Sequence, residues 1–121
     1  MTKDEKAMVK VQAGKVMDKI GPTGVAKIAS AIEAQIKKYK AEKHMSKDGR
    51  QLVGLPARNI GVHQYLIEKY NIEPAVAYKV VEMIAEKSGK FCVGFSRFGS
   101  LLYLPQDYQG NSVVDFATLL K

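Results

Sequence analysis

The stretch that decides the fold lies between residues 72 and 104. It reads IEPAVAYKVVEMIAEKSG over residues 72–89 and KFCVGFSRFGSLLYL over residues 90–104. Pro74 is typical of the first position of a helix, and Gly89 is typical of the left-handed residue that ends one. Four apolar residues between them share one side of a helical wheel: Ala77, Val80, Val81 and Ile84. The spacing predicts an amphipathic helix from residue 74 to about residue 87.

After Gly89 the sequence period changes. Residues 90–96 alternate large and small side chains, which predicts a half-buried strand. Arg97-Phe98-Gly99 suits a hairpin loop, and residues 100–104 predict the returning strand before Pro105. The helix is therefore expected to lead directly into a two-stranded hairpin.

Upstream of this stretch the pattern is mainly helical. Residues 4–20 predict a first helix with Val9, Val16 and Ile20 on one stripe, and residues 21–24 break it, with Thr23 as the N-cap of the next helix. Residues 24–45 predict this second helix, whose lysines lie away from its apolar face: Lys27, Lys37, Lys38 and Lys40.

The middle and the end of the chain carry shorter elements. Residues 51–55 predict a short strand stopped by Pro56, and Asn59 is the expected cap of a helix that runs to about Tyr70. Residues 71–73 form a turn. Residues 106–111 read as a polar linker, followed by an amphipathic tail helix over residues 112–121 with Val113, Phe116 and Leu120 on its apolar side.

From residue 24 onward this order is helix, short strand, helix, tight turn, helix and hairpin. It resembles the winged-helix superfamily of helix-turn-helix proteins, although no individual family is identified. Residues 72–84, leading into 86–89, are similar to the recognition helix and wing-opening glycine of bacterial and archaeal regulators. The resemblance implies an α+β winged helix-turn-helix domain over residues 24–105. Residues 1–23 are then an N-terminal helix extension, and residues 106–121 a linker and C-terminal tail helix.

Composition limits the classes of protein to consider. The 121 residues suit one domain, and the chain is basic, with a net charge of +7. Residues 1–50 hold twelve of the nineteen Lys and Arg residues, so the excess positive charge is concentrated there. Such a protein favours acidic partners. Cys92 is the single cysteine, and neither a signal peptide nor a membrane-length apolar run is evident, so a cytoplasmic protein is expected.

The resemblance implies a DNA-binding protein, a small transcriptional regulator of a prokaryote, a virus or a plasmid. The 74–87 helix would enter the major groove of duplex DNA, with the 90–104 hairpin as a wing. Glu82 and Glu86 lie on the same stripe as the expected contacts and oppose phosphate binding. The expected DNA-binding residues are Ala75, Tyr78, Lys79, Arg97, Lys37, Lys38, Lys40 and Arg58.

Two other functions stay open at this point. A winged-helix domain can serve as a protein-interaction module, and it can also serve as an accessory factor in replication or recombination. An enzyme is not expected: His63 and Cys92 could be drawn as base and nucleophile, but a cysteine in an alternating strand is typical of a small core residue. No cofactor or metal site is expected. A homodimer is expected, joined through the apolar stripe of the 4–20 helix or of the tail helix, and the alternative is that these helices pack on their own domain.

Overall fold

The structure, a computed structural model, describes residues 2–42, 55–57, 60–96 and 99–105. This part of the chain is an α+β fold, as the sequence predicts, with helices and a small antiparallel sheet. The elements in chain order are α1 (Lys3–Glu42), β1 (Leu55–Pro56), α2 (Gly61–Tyr70), α3 (Pro74–Ser88), β2 (Cys92–Ser96) and β3 (Gly99–Tyr103). Residues 43–54 and 106–121 lie outside the described residues, and with them the predicted tail helix.

A single glycine divides α1 into two helical arms. Gly21 has φ 76° and ψ 164°, which is not helical, and Pro22 follows it within the same element. We call residues 3–20 the first arm and residues 22–42 the second arm. The predicted break at residues 21–24 is confirmed at Gly21, whereas the predicted cap at Thr23 is wrong, because the second arm already begins at Pro22. Proline suits the first position of the second arm, since its φ is already helical and it has no N–H that needs a partner.

The first arm begins with a capping box that the sequence analysis missed. The Glu5 backbone N–H donates to Thr2 Oγ1 at 3.1 Å, and the Thr2 backbone N–H donates to Glu5 Oε1 at 3.4 Å. Two backbone donors that have no partner within the helix are satisfied in this way. The helix therefore has a defined start at Lys3.

The limits of α3 are those predicted from its sequence. Pro74 occupies the first turn, and Gly89 is left-handed with φ 68°, its backbone N–H donating to the Ala85 carbonyl oxygen at 3.0 Å. The predicted cap of α2 is wrong: the residue at its N-cap position is Ile60, which makes no side-chain cap hydrogen bond. At the other end of α2, Asn71 adopts the left-handed conformation, which asparagine tolerates better than most residues.

The sheet has the strand order β1-β3-β2. In the hairpin, Cys92 pairs with Tyr103 and Ser96 pairs with Gly99, so Gly99 belongs to β3 and not to the loop. β1 pairs with β3 through Leu55 with Leu102 and Pro56 with Leu101. Pro56 was expected to stop this strand, but it lies within it. A proline can do so because β1 is an edge strand, where a missing N–H need not face a partner.

One apolar core joins the sheet to all three helices. Each fully buried aliphatic or aromatic side chain contributes about 1.5–3 kcal/mol of transfer free energy. The core receives side chains from both arms of α1, from α2 and α3, and from the strands: among them Val16, Ile32, Ile36, Leu66, Val80, Ile84, Phe91 and Leu102. Lys90 Nζ also donates to Ser30 Oγ at 2.8 Å, which links the second arm to the segment after α3.

The apolar stripe of the first arm packs within its own chain. Ala13, Val16 and Met17 are buried, and Val9 and Ile20 pack against the same core. The expectation that this stripe joins two subunits is therefore wrong, because its side chains are already covered. The alternative interface, the tail helix, lies outside the described residues, and the homodimer stays a prediction.

We predict that Gly21→Ala lowers the free energy of unfolding by about 1–3 kcal/mol, because its backbone conformation is essentially reserved for glycine. The matched control is Gly14→Ala within the first arm. A Cβ at either position would meet no atom within 4 Å, so only the backbone conformation differs. Gly14→Ala should raise stability by about 0.5–1 kcal/mol, since alanine is the better helix former. Urea denaturation of both variants measures the difference, and equal effects would contradict the assigned role of Gly21.

Candidate nucleic-acid interface

The outward side of α3 is only partly open. Its residues Ala75, Tyr78, Lys79 and Glu82 are all half-buried. The first arm lies beside them, and the two helices border an open cavity of about 510 Å³ that is also lined by Lys6, Ala7, Val9 and Lys10. The predicted recognition surface is therefore one wall of a cleft and not the side of an isolated helix.

Cations predominate at this end of the cleft. Lys6 and Lys10 are exposed on the first arm, and Lys79 lies opposite them on α3. Lys79 Nζ is 3.3 Å from Glu82 Oε1, in a pair whose side chains are 31% and 27% exposed. One carboxylate thus faces three ammonium groups, and the local charge is positive.

The ring of Tyr78 packs against a buried histidine, His63. The rings of His63 and Tyr78 have centroids 4.0 Å apart and are tilted by 34°. His63 is 7% exposed, and its Nε2 atom is buried without a hydrogen-bond partner. The contact fixes the tyrosine ring between the core and the cleft, so Tyr78 packs on one side and lines the cavity on the other.

The first arm and α3 also line a second cavity, whose charge pattern is different. This cavity of about 590 Å³ lies further along the two helices and is lined by Val11, Gly14, Lys15, Met17, Asp18, Met83, Glu86 and Lys87. We call the two cavities together the furrow, with a basic half around Lys6, Lys10 and Lys79 and a neutral half around Val11 and Met83. In the neutral half, two lysines are balanced by two carboxylates.

The remaining predicted contacts do not line the furrow. Lys37 and Lys38 are exposed on the second arm. Arg58, Arg97 and the side chain of Lys40 lie outside the described residues. The structure thus brings Ala75, Tyr78 and Lys79 together at the furrow and leaves the two arm lysines apart from it.

The sequence analysis missed Lys6 and Lys10. They are spaced four residues apart, so they share one face of the first arm. That spacing was available in the sequence, but residues 4–20 were interpreted only as an extension with an apolar stripe. The packing of the arm beside α3 is what turns the two lysines into candidate contacts.

A second group of aromatic and basic side chains lies on α2. Lys69 Nζ donates to Tyr65 Oη at 2.8 Å and lies 5.3 Å and 5.7 Å from the ring centroids of Tyr65 and Tyr70. The hydrogen bond to Tyr65 and the nearby tyrosines raise the pKa of the Lys69 ammonium. The three side chains therefore interact with one another on the surface of α2.

The described residues contain neither a cluster of metal ligands nor a membrane-spanning helix. They contain no group of three or more His, Cys, Asp or Glu side chains that is placed to hold a metal ion. None of the helices described above combines the length and the apolar character that crossing a membrane requires. Cys92 is half-buried in β2, and burial raises the pKa of its thiol.

No family model matches the chain, and no curated protein and no solved structure matches it either.

We predict that iodoacetamide alkylates Cys92 in the folded protein more slowly than in the same chain unfolded in urea at about pH 8. Because burial raises the pKa of the thiol, less of it is thiolate at this pH. The rate in the folded protein should keep rising at pH values where the unfolded chain has levelled off. Mass spectrometry of the alkylated chain measures both rates. A folded-state rate above the unfolded one would instead indicate an activated thiol.

Proposed function

We propose that this chain is a winged-helix protein that binds duplex DNA and acts as a transcriptional regulator. The observation that carries the proposal is the convergence of Lys6, Lys10 and Lys79 beside Tyr78 on the helix that directly precedes the hairpin. The strand order β1-β3-β2, with two helices between the first two strands, supports the winged-helix resemblance. Enzymatic activity is not part of the proposal.

The basic half of the furrow suits the phosphate backbone. Duplex DNA carries one negative charge per about 1.7 Å of its axis, and each ammonium group near a phosphate releases a condensed counterion. Lys6 and Lys10 are exposed and lie about one helical turn apart, so both can approach one strand. Glu82 opposes this attraction, but its pairing with Lys79 limits the cost.

The first arm restricts how α3 approaches DNA. A major groove about 12 Å wide admits one helix, whereas two packed helices with axes about 8–10 Å apart are too wide to enter together. We therefore propose that the N-terminal end of α3, with Ala75 and Tyr78, faces the groove, while Lys6 and Lys10 contact the phosphates at its edge. Further phosphate contacts are proposed for Arg97 on the wing, for Arg58, and for Lys37, Lys38 and Lys40.

A protein-interaction module is the second candidate. It is favoured by the side chains of Met8 and Val11, which are 62% and 58% exposed on the first arm. Large apolar side chains exposed next to one another often mark an interaction surface. The two functions differ in how they respond to salt, because counterion release accompanies only the binding of nucleic acid.

We predict that random-sequence duplex DNA is bound at low salt and that affinity falls at least about tenfold between about 50 and 200 mM salt. The steep decrease results from displacing counterions from several phosphates. An electrophoretic shift assay or fluorescence anisotropy titration at both concentrations measures it. No binding at the lower concentration, or equal binding at both, would exclude the proposed function in favour of the interaction module.

We also predict that Lys10→Gln weakens DNA binding and lowers the slope of log affinity against log salt by about one. The matched control is Lys27→Gln on the second arm, which removes the same charge from an exposed lysine that does not line the furrow. The control should leave the slope nearly unchanged. Equal losses in the two variants would mean that affinity depends on net charge and that the furrow is not the binding surface.

A further inference from the structure

We infer that the neutral half of the furrow, together with the outer side of the first arm, is a two-fold interface between two copies of this chain. The inference does not rest on DNA binding. We call this surface the outer patch: Met8, Val11, Lys15 and Asp18 on the first arm, with Glu86 and Lys87 on α3. It differs from the stripe of Val9, Val16 and Ile20, which is covered by the chain's own core.

The apolar centre of the outer patch is exposed. Among the described residues, three large apolar side chains are exposed, and two of them, Met8 and Val11, lie one turn apart on the first arm. Lys15 and Asp18 continue the same face at spacings of four and three residues. Across the furrow lies Met83, which is half-buried. The patch is thus an apolar strip with charged groups along its edges.

The charge of the outer patch favours a second copy over other occupants. The chain carries a net charge of +7, so two copies repel one another as wholes. At the outer patch, however, Lys15 and Lys87 are balanced by Asp18 and Glu86. A two-fold interface brings a surface against itself, and it therefore needs both signs of charge on one patch.

The basic half of the furrow does not meet this requirement. Lys6, Lys10 and Lys79 face a single carboxylate there, so a second copy would be repelled. An acidic partner of another kind would be drawn to that half and not to the neutral one. The charge pattern therefore indicates that two copies associate through the neutral half of the furrow and not through the basic half.

Sedimentation equilibrium of the full chain without DNA, over about 1–100 µM, tests the inference. The wild-type chain should form a dimer. Val11→Glu should weaken association at least about tenfold, because a two-fold interface contains the substitution twice and buries two like charges. Met8→Glu should act in the same direction. The matched control is Tyr65→Glu, which alters the third exposed apolar side chain, on α2, and should leave the dimer intact.

Circular dichroism checks that each variant folds. Folding is expected because the side chains of Met8 and Val11 are exposed. A monomer at every concentration would overturn the inference, as would a dimer that folded Val11→Glu leaves unchanged. A version of the chain ending at Gly110 tests the other possible occupant of the outer patch, which is the chain's own tail. If the wild-type chain is monomeric and the shortened chain dimerises, the tail covers the outer patch and the inference is wrong.

Discussion

The burial of α3 governs the arrangement of the other elements. Six of its fifteen residues are buried, and they lie on more than one side of the helix. A single neighbouring layer covers only one stripe of a helix, so α3 needs partners in several directions. The sheet, α2 and both arms of α1 supply them. The break at Gly21 matters for this reason, since one straight helix of forty residues would extend about 60 Å and could not place both of its halves against the same core.

The candidate site forms because the first arm packs beside α3. A helix-turn-helix unit on its own would leave Ala75, Lys79 and Glu82 in solvent. Here the first arm packs close enough to make them half-buried and to add Lys6 and Lys10 to the same cleft. The arm therefore narrows access to α3 and at the same time supplies positive charge at its edge.

Local signals predicted the ends of α3 but not every helix cap, and long-range packing was not predicted. Pro74 and Gly89 fix the ends of α3 through their own backbone preferences, so the sequence shows them directly. The stripe of Val9, Val16 and Ile20 shows that a face is buried, but a periodic pattern contains no information about the partner. Its two possible partners were a second subunit and the chain's own domain, and it packs on the chain's own core. The cluster of Lys6, Lys10 and Lys79 depends on that same packing, and so does the buried contact of His63 with Tyr78.

The furrow has a basic half and a neutral half. This division makes the proposed DNA binding compatible with the proposed self-association. A basic surface attracts polyanions and repels its own copies, whereas a neutral apolar surface does the reverse. Two cavities between the same pair of helices can therefore serve both kinds of partner only if their charges differ, and the cavity at Lys10 is basic whereas the cavity at Lys15 is neutral. In the proposed two-fold arrangement, the neutral halves meet at the axis. The basic halves then lie on either side of it, and each half binds phosphates without opposing the association of the two chains.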